Sequence, residues 1–268
     1  MKIILYFIFI TSTLVVDAQV KLTPIRSWEI KATNFKVDNL GSVYTFDNQK
    51  LEKYNYKGEL LATYSNHNLG AINSIDVSNS LRILVLHKNQ NTLVILDNTL
   101  SPEQQNSLDL TSLGLYNTSA FTYSSLNNGI WFYDKELFQL IKTNNLMEVI
   151  YESGNLLQLL NKDSLEVKQL IEDNDKLYLV CKKNILVFDV YGAYYNTIHI
   201  PYSNGIEIKE NTIFTFEVGH LKAYNTKTFE EQKADFVFDP LLLQRLNQGK
   251  VYELGEQIFN IYDIELKK

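Results

Sequence analysis

A single cysteine, Cys181, is all the thiol chemistry that 268 residues carry. One cysteine cannot close an internal disulfide, so packing alone must hold the fold. Cys181 has no histidine beside it in sequence and lies in LYLVC, where Leu177, Leu179 and Cys181 share one face of a strand. It reads as a small buried apolar residue and not as a nucleophile. Proline and glycine are scarce, at 4 and 11, against 17 tyrosines and 14 phenylalanines. That balance excludes a low-complexity chain and favours ordered strands. Positive charge is short too: 25 Lys and Arg stand against 31 Asp and Glu, for a net charge of -6. The acidic balance argues against nucleic acid as a partner and against an anionic membrane surface, since both need clustered Lys and Arg.

Long apolar runs are missing except at the start. Residues 3–16 are apolar apart from Thr11, Ser12 and Thr13; Lys2 precedes them and Ala18 follows. This pattern predicts a secretory signal peptide over residues 1–19, cut after Ala18 or Gln19. The run is too short for a comfortable membrane span, which needs about 20 apolar residues. The mature chain, residues 20–268, is then one exported domain, periplasmic or at the cell surface, with no transmembrane segment left. No cysteine lies near the cut, so lipid attachment there is not available.

What the sequence does have is a repeat. The stretch VYTFDNQKLEKYNYKGELLATY, residues 43–64, reads as three short strands and two tight turns. Gly58 suits a turn position that requires positive φ. Strands like VYTFD recur from Ile83, Ile130, Leu177, Ile213 and Val251, at steps of 40, 47, 47, 36 and 38. Each is followed by a partner such as LVILD, LFQLI or ILVFD. An inner strand precedes every pair, and an outer strand follows the first five. Four strands on a period near forty predict an all-β fold, a six-bladed β-propeller. The sixth unit lacks its outer strand, and residues 24–32 are strand-like without a place. The N-terminal segment is therefore expected to complete the last blade, which removes an open edge.

The motifs LEKYNYKGELLATY and ILVFDVYGAYYNTI each place an aromatic–Asn or aromatic–Asp pair before a turn. In this the chain resembles the six-bladed propellers of bacterial periplasm and cell surface, of the NHL and TolB-like kind. The resemblance implies the fold. That group holds lactonases, lyases, scaffolds and ligand receptors, so it implies no catalytic residue here.

Candidate chemistry is sparse. His87 and His220 fall in equivalent positions of opposite blades, too far apart for metal bonds near 2 Å, and His67 and His199 lie elsewhere. Asp38, Asp76 and Glu207 are expected to approach the axis, where they could serve a divalent ion or acid–base work. Their simpler role is to accept backbone hydrogen bonds in turns. No catalytic, cofactor or metal-binding residue follows from the sequence, and no cofactor is implied. Asn117-Thr118-Ser119 fits a glycosylation sequon, a three-residue match that occurs often by chance.

Two stretches suit a partner surface. Tyr191, Tyr194, Tyr195 and Tyr202 crowd around one turn, and tyrosine is enriched in binding patches. The alternative is that half of these rings pack between blades. The long connector 153–167 carries Leu156, Leu157, Leu159 and Leu160, which would form an apolar patch or cap their own blade. The sequence therefore predicts an exported, non-catalytic binding or assembly module of the cell envelope, monomeric alone, whose partner is an envelope or extracellular protein. The alternative is a metal-dependent hydrolase or lyase working at the propeller channel.

Overall fold

The computed structural model describes residues 20–200, 205–217, 219–239 and 241–266. The expected signal peptide, residues 1–19, lies outside them. The described strands form six four-stranded antiparallel sheets. Blade one is Asn34–Val37, Val43–Phe46, Leu51–Tyr54 and Leu60–Tyr64, from the axis outward. Blade two is Ser74–Asp76, Ile83–His87, Thr92–Leu96 and Pro102–Asp109. Blade three is Thr118–Tyr123, Ile130–Asp134, Gln139–Thr143 and Val149–Glu152. Blade four is Val167–Asp173, Lys176–Cys181, Ile185–Asp189 and Tyr194–Ile198. Blade five is Ile206–Lys209, Thr212–Glu217, His220–Asn225 and Glu231–Val237. Blade six takes Leu243–Asn247, Lys250–Leu254 and Ile258–Leu266 from the C-terminal end, and its outer strand is Val20–Glu29.

The expected closure is therefore present. Val20 pairs with Leu266 and Glu29 with Ile258, with a bulge between Pro24 and Arg26 that accommodates the proline. Trp28 then seals blade six against blade one. Its ring lies 4.8 Å from that of Phe259 and 6.4 Å from that of Tyr54. Gly58 is required twice here: its φ is 82°, and a Cβ would stand 2.8 Å from the Trp28 indole.

The apolar core is divided among the blade interfaces, because each sheet is covered on both faces by its neighbours. Val43–Phe46, Ile83–His87 and Ile130–Asp134 are buried throughout, so these second strands read as continuous apolar runs. The largest cluster joins blades three and four around Trp131, Tyr133, Leu177 and Phe188. Cys181 belongs to it, and burial pushes its thiol up to about 12, which removes thiolate chemistry.

One turn device recurs between third and outer strands. Asn55 Oδ1 accepts from the amides of Lys57 and Glu59 at 2.9 and 3.0 Å. Asp97, Asn144 and Asp189 repeat the same pair of bonds to residues two and four ahead. Asn225 accepts from Lys227 and Thr228. The third residue after each Asx, or the fourth after Asn225, has positive φ: Gly58, Leu100, Met147, Gly192 and Phe229. The aromatic–Asn and aromatic–Asp pairs of the sequence are these turns.

A second device fastens neighbouring blades. Lys53 lies over the Tyr44 ring at 5.2 Å and donates to the Asn98 carbonyl, in the turn of blade two, at 2.9 Å. Lys142 repeats this two blades on, over Trp131 at 4.7 Å and to the Val190 carbonyl at 2.9 Å. Both are buried. Lys222 holds the matching place in blade five. Blade six offers no such turn, because its outer strand comes from the other end of the chain. Lys222 pairs instead with Glu217 and Glu231.

Candidate binding face

Antiparallel blades sort their loops onto two faces. Turns from inner to second strand and from third to outer strand share one, the turn face. The remaining turns and the interblade connectors share the other. The turn face carries exposed apolar side chains at its tips. Leu40, Leu81 and Leu126 are exposed at the inner turns of blades one to three. Tyr56, Leu146, Tyr191 and Phe229 are exposed at the outer turns of blades one, three, four and five. Large apolar tips spread around one face favour contact with another surface.

Of the sequence-predicted patch, Tyr191 is 72% exposed, Tyr195 67% and Tyr194 43%. Tyr194 leans on Phe188, with ring centres 5.6 Å apart, and its hydroxyl bonds Thr197. Lys176 sits over the Tyr195 ring at 5.1 Å. Tyr202 lies outside the described residues. Gly192 lets this turn close over Tyr151, whose hydroxyl donates to the Gly192 carbonyl at 2.8 Å.

The leucine connector is a different case and lies on the opposite face. Leu156–Leu159 forms one helical turn capped by Asn155. Leu156 is fully buried in the cluster between blades three and four, and Leu157 and Leu160 pack against that cluster. Only Leu159 of the four is exposed, at 59%. These leucines are thus mostly a cap on their own blades, because the helical turn directs Leu156 and Leu157 inward and its C-cap residue Leu160 follows them.

The expected carboxylates separate likewise. Asp38 is buried in a turn, where it accepts from Leu40, Ser42 and the Tyr44 hydroxyl. Asp76 accepts from Ser78 and from the Tyr123 amide of blade three. Asp76 also lines the smaller axial cavity and Glu207 the larger, with Lys36 and Arg245 the charges that act on Glu207. Burial raises the Glu207 pKa, against the opposing pull of those two cations. Burial and then Arg245 lower that of Lys36. Neither Lys36 nor Glu207 makes a hydrogen bond or ion pair with a described residue. Water reaches both along the channel, yet protein atoms surround them. The lysine was not singled out from the sequence; a Lys between apolar residues on an inner strand was the available signal.

His87 is buried, with Nδ1 donating to the Gly70 carbonyl at 3.0 Å and Nε2 3.2 Å from the Tyr64 hydroxyl. It holds the first connector against blade two. His67 and His199 are exposed. Among the described residues no three His, Cys, Asp or Glu side chains converge enough to share a metal ion. In the sequon, Thr118 is buried and the Asn117 backbone N–H donates to the Asp134 carboxylate at 2.7 Å.

Two cavities occupy the axis. The smaller, about 170 Å³, opens toward the connector face between Lys36, Lys168 and Arg245. The larger, about 740 Å³, opens on the turn face and runs between blades five and six. Its walls are chiefly apolar, and its charged groups are Glu172, Asp173, Glu207 and Lys209.

The class this architecture defines is a six-bladed β-propeller, with large apolar side chains exposed at the tips of its turn face. No known family profile matches the chain, and no curated protein matches it. Solved structures share its shape at low identity. The WD40 domain of Neurospora crassa Pan2 aligns with a TM-score of 0.61 and 9% identity, over 94% of this chain and 98% of that one. A candidate exported protein of Bacteroides fragilis NCTC 9343 gives 0.61 and 11%, over 96% and 98%. A streptogramin B lyase gives 0.56 and 16%, over 86% and 78%. At these identities the likeness establishes the propeller fold alone. No helix among the described residues is long and apolar enough to cross a membrane.

Proposed function

We propose that this chain is an exported, non-catalytic propeller of the NHL or TolB-like kind, acting as a protein-binding or assembly module of the cell envelope through its turn face. The observation that carries the reading is Phe229. It is 69% exposed and held at φ 61°, a place where blades one and four use glycine. A left-handed conformation costs a non-glycine residue about 1–2 kcal/mol, and an exposed ring recovers little of that by packing. Strain of this kind clusters at contact sites. Tyr56, Tyr191 and Tyr195 extend the surface, and tyrosine contributes wide contact at low entropic cost. Export is supported by the apolar leader sequence and, weakly, by the Bacteroides fragilis neighbour.

The test is capture of partners from the envelope fraction of the host with the tagged protein. Phe229→Gly combined with Tyr191→Ser is expected to lose the captured protein. Phe229→Gly alone should melt about 2–4 °C higher, since ~1 kcal/mol moves a chain of this size by that amount. A double variant that keeps every partner overturns this face as the contact. A melting rise of several degrees with one divalent ion over EDTA would instead favour the metal-dependent enzyme.

A further inference from the structure

One cross-strand pair, from the second and third strands, recurs on the face that each blade turns to the next. It is Tyr44 with Lys53 in blade one, Trp131 with Lys142 in blade three and Tyr178 with Val187 in blade four. Leu84 with Ile95 and Tyr252 with Ile261 continue the series in blades two and six. Every one of these side chains is large and buried. Blade five departs from the rule. Its pair is Phe214 with Ala223, and both are only partly buried. Alanine is the smallest member of the series, and its neighbour Lys222 is held by Glu217 and Glu231 without filling the gap.

The 740 Å³ cavity lies at this pair, lined in its depth by Phe214, Leu221, Ala223, Leu246 and Ile264. Its volume falls within that of pockets for small organic ligands, about 300–1,000 Å³. The polar groups near its mouth are already served. Glu172 accepts from the Trp131 indole at 2.9 Å and from the Ser125 amide at 2.7 Å. Asp173 accepts from the Glu210 amide at 2.7 Å, and the Asn247 carboxamide donates to the Asp38 carbonyl at 2.6 Å. Lys36 and Arg245 act on Glu207. A charged ligand would shed its water there for no waiting partner, which is costly. An anion would also meet three carboxylates against one cation, Lys209.

We propose that this cavity binds an uncharged, mainly apolar small molecule, seated between Phe214 and Ala223 of blade five and Leu246 and Ile264 of blade six. The apolar area it hides from water supplies the affinity. None of the tips assigned to the partner protein, Tyr56, Tyr191, Tyr195 or Phe229, lines the cavity, so the two readings stand or fall separately.

Calorimetric titration of the purified chain with decanol, decanoate and decylamine, each below its micelle concentration, tests the assignment. Decanol is expected to bind at one site per chain. Decanoate should bind at least tenfold more weakly, and decylamine no more tightly than decanol. Ala223→Trp should abolish decanol binding. Ala223→Leu should weaken it at least fivefold and melt at or above the parent temperature, as filling of a real void does. Phe229→Gly combined with Tyr191→Ser should bind decanol like the parent. No binding of decanol, tighter binding of either charged ligand, or decanol binding unchanged by Ala223→Leu overturns the proposal. So does a loss of decanol binding in the turn-face double variant, which would move the ligand to the exposed tips. If Ala223→Trp does not fold, Ala223→Leu and the three-ligand comparison decide.

Discussion

Single residues show how burial sets chemistry. His87 sits between Tyr64 and Gly70 with its imidazole buried, and burial holds its pKa below the ordinary 6.5 despite the backbone bonds that raise it. A depressed histidine pKa means that the unfolded chain binds the extra proton first. The folded state therefore loses stability as pH falls below about 6.5 and stops losing it below the depressed value. Asp173 and Glu207, raised by burial, act with the opposite sign at lower pH. The difference between parent and His87→Gln isolates the histidine. Melting scans from pH 7.5 to 5 are expected to show a steeper fall for the parent; equal slopes would remove His87 from the account. None of this was legible beforehand. The sequence shows His87 at the end of ILVLH, but burial of a ring depends on the Tyr64 and Gly70 contacts from another blade.

At the scale of elements, the Asx turn organises each blade, and here the sequence was open to reading. Asn or Asp after an apolar strand, followed by a residue with positive φ, marks the turn by its own chemistry. Where that residue is Gly58 or Gly192, the signal is plain. Leu100 and Met147 hide it, since core packing overrides their preference, and Phe229 hides it without such packing, its ring being exposed. Asp189→Ala removes two charge-assisted bonds to Tyr191 and Ala193. The loss should be about 1.5–3 kcal/mol in denaturant unfolding, and the tyrosine tip should become more open to protease. An unchanged midpoint would show that the turn is held by packing alone. The leucine connector, which the sequence leaves open between an apolar patch and a cap on its own blade, could not be decided for a related reason. Sequence gives its apolar content, whereas the direction each leucine takes depends on the cap at Asn155 and on the gap between blades three and four.

For the whole molecule, repeat spacing sufficed to place six blades and the strand that closes them, because every blade obeys the same alternation and turn chemistry. The cavity between blades five and six left no such trace, since it arises from how two sheets fail to fill the space between them. Deleting residues 20–29 should leave Ile258–Leu266 as an unpaired edge and remove Trp28 from its place against Phe259. The expected outcome is a lower melting temperature and aggregation in light scattering; a monomer that melts like the parent would contradict the closure.

That closure also imposes a schedule. Val20–Glu29 precedes every other described strand in the chain, and its partner Ile258–Leu266 follows every other one. The two strands cannot pair until the chain between them exists, so Val20–Glu29 waits through synthesis of all six blades. Contacts of such sequence separation form slowly. A chain that stops before Ile258–Leu266 leaves Val20–Glu29 with no strand to pair, so a truncated propeller does not close as a smaller ring.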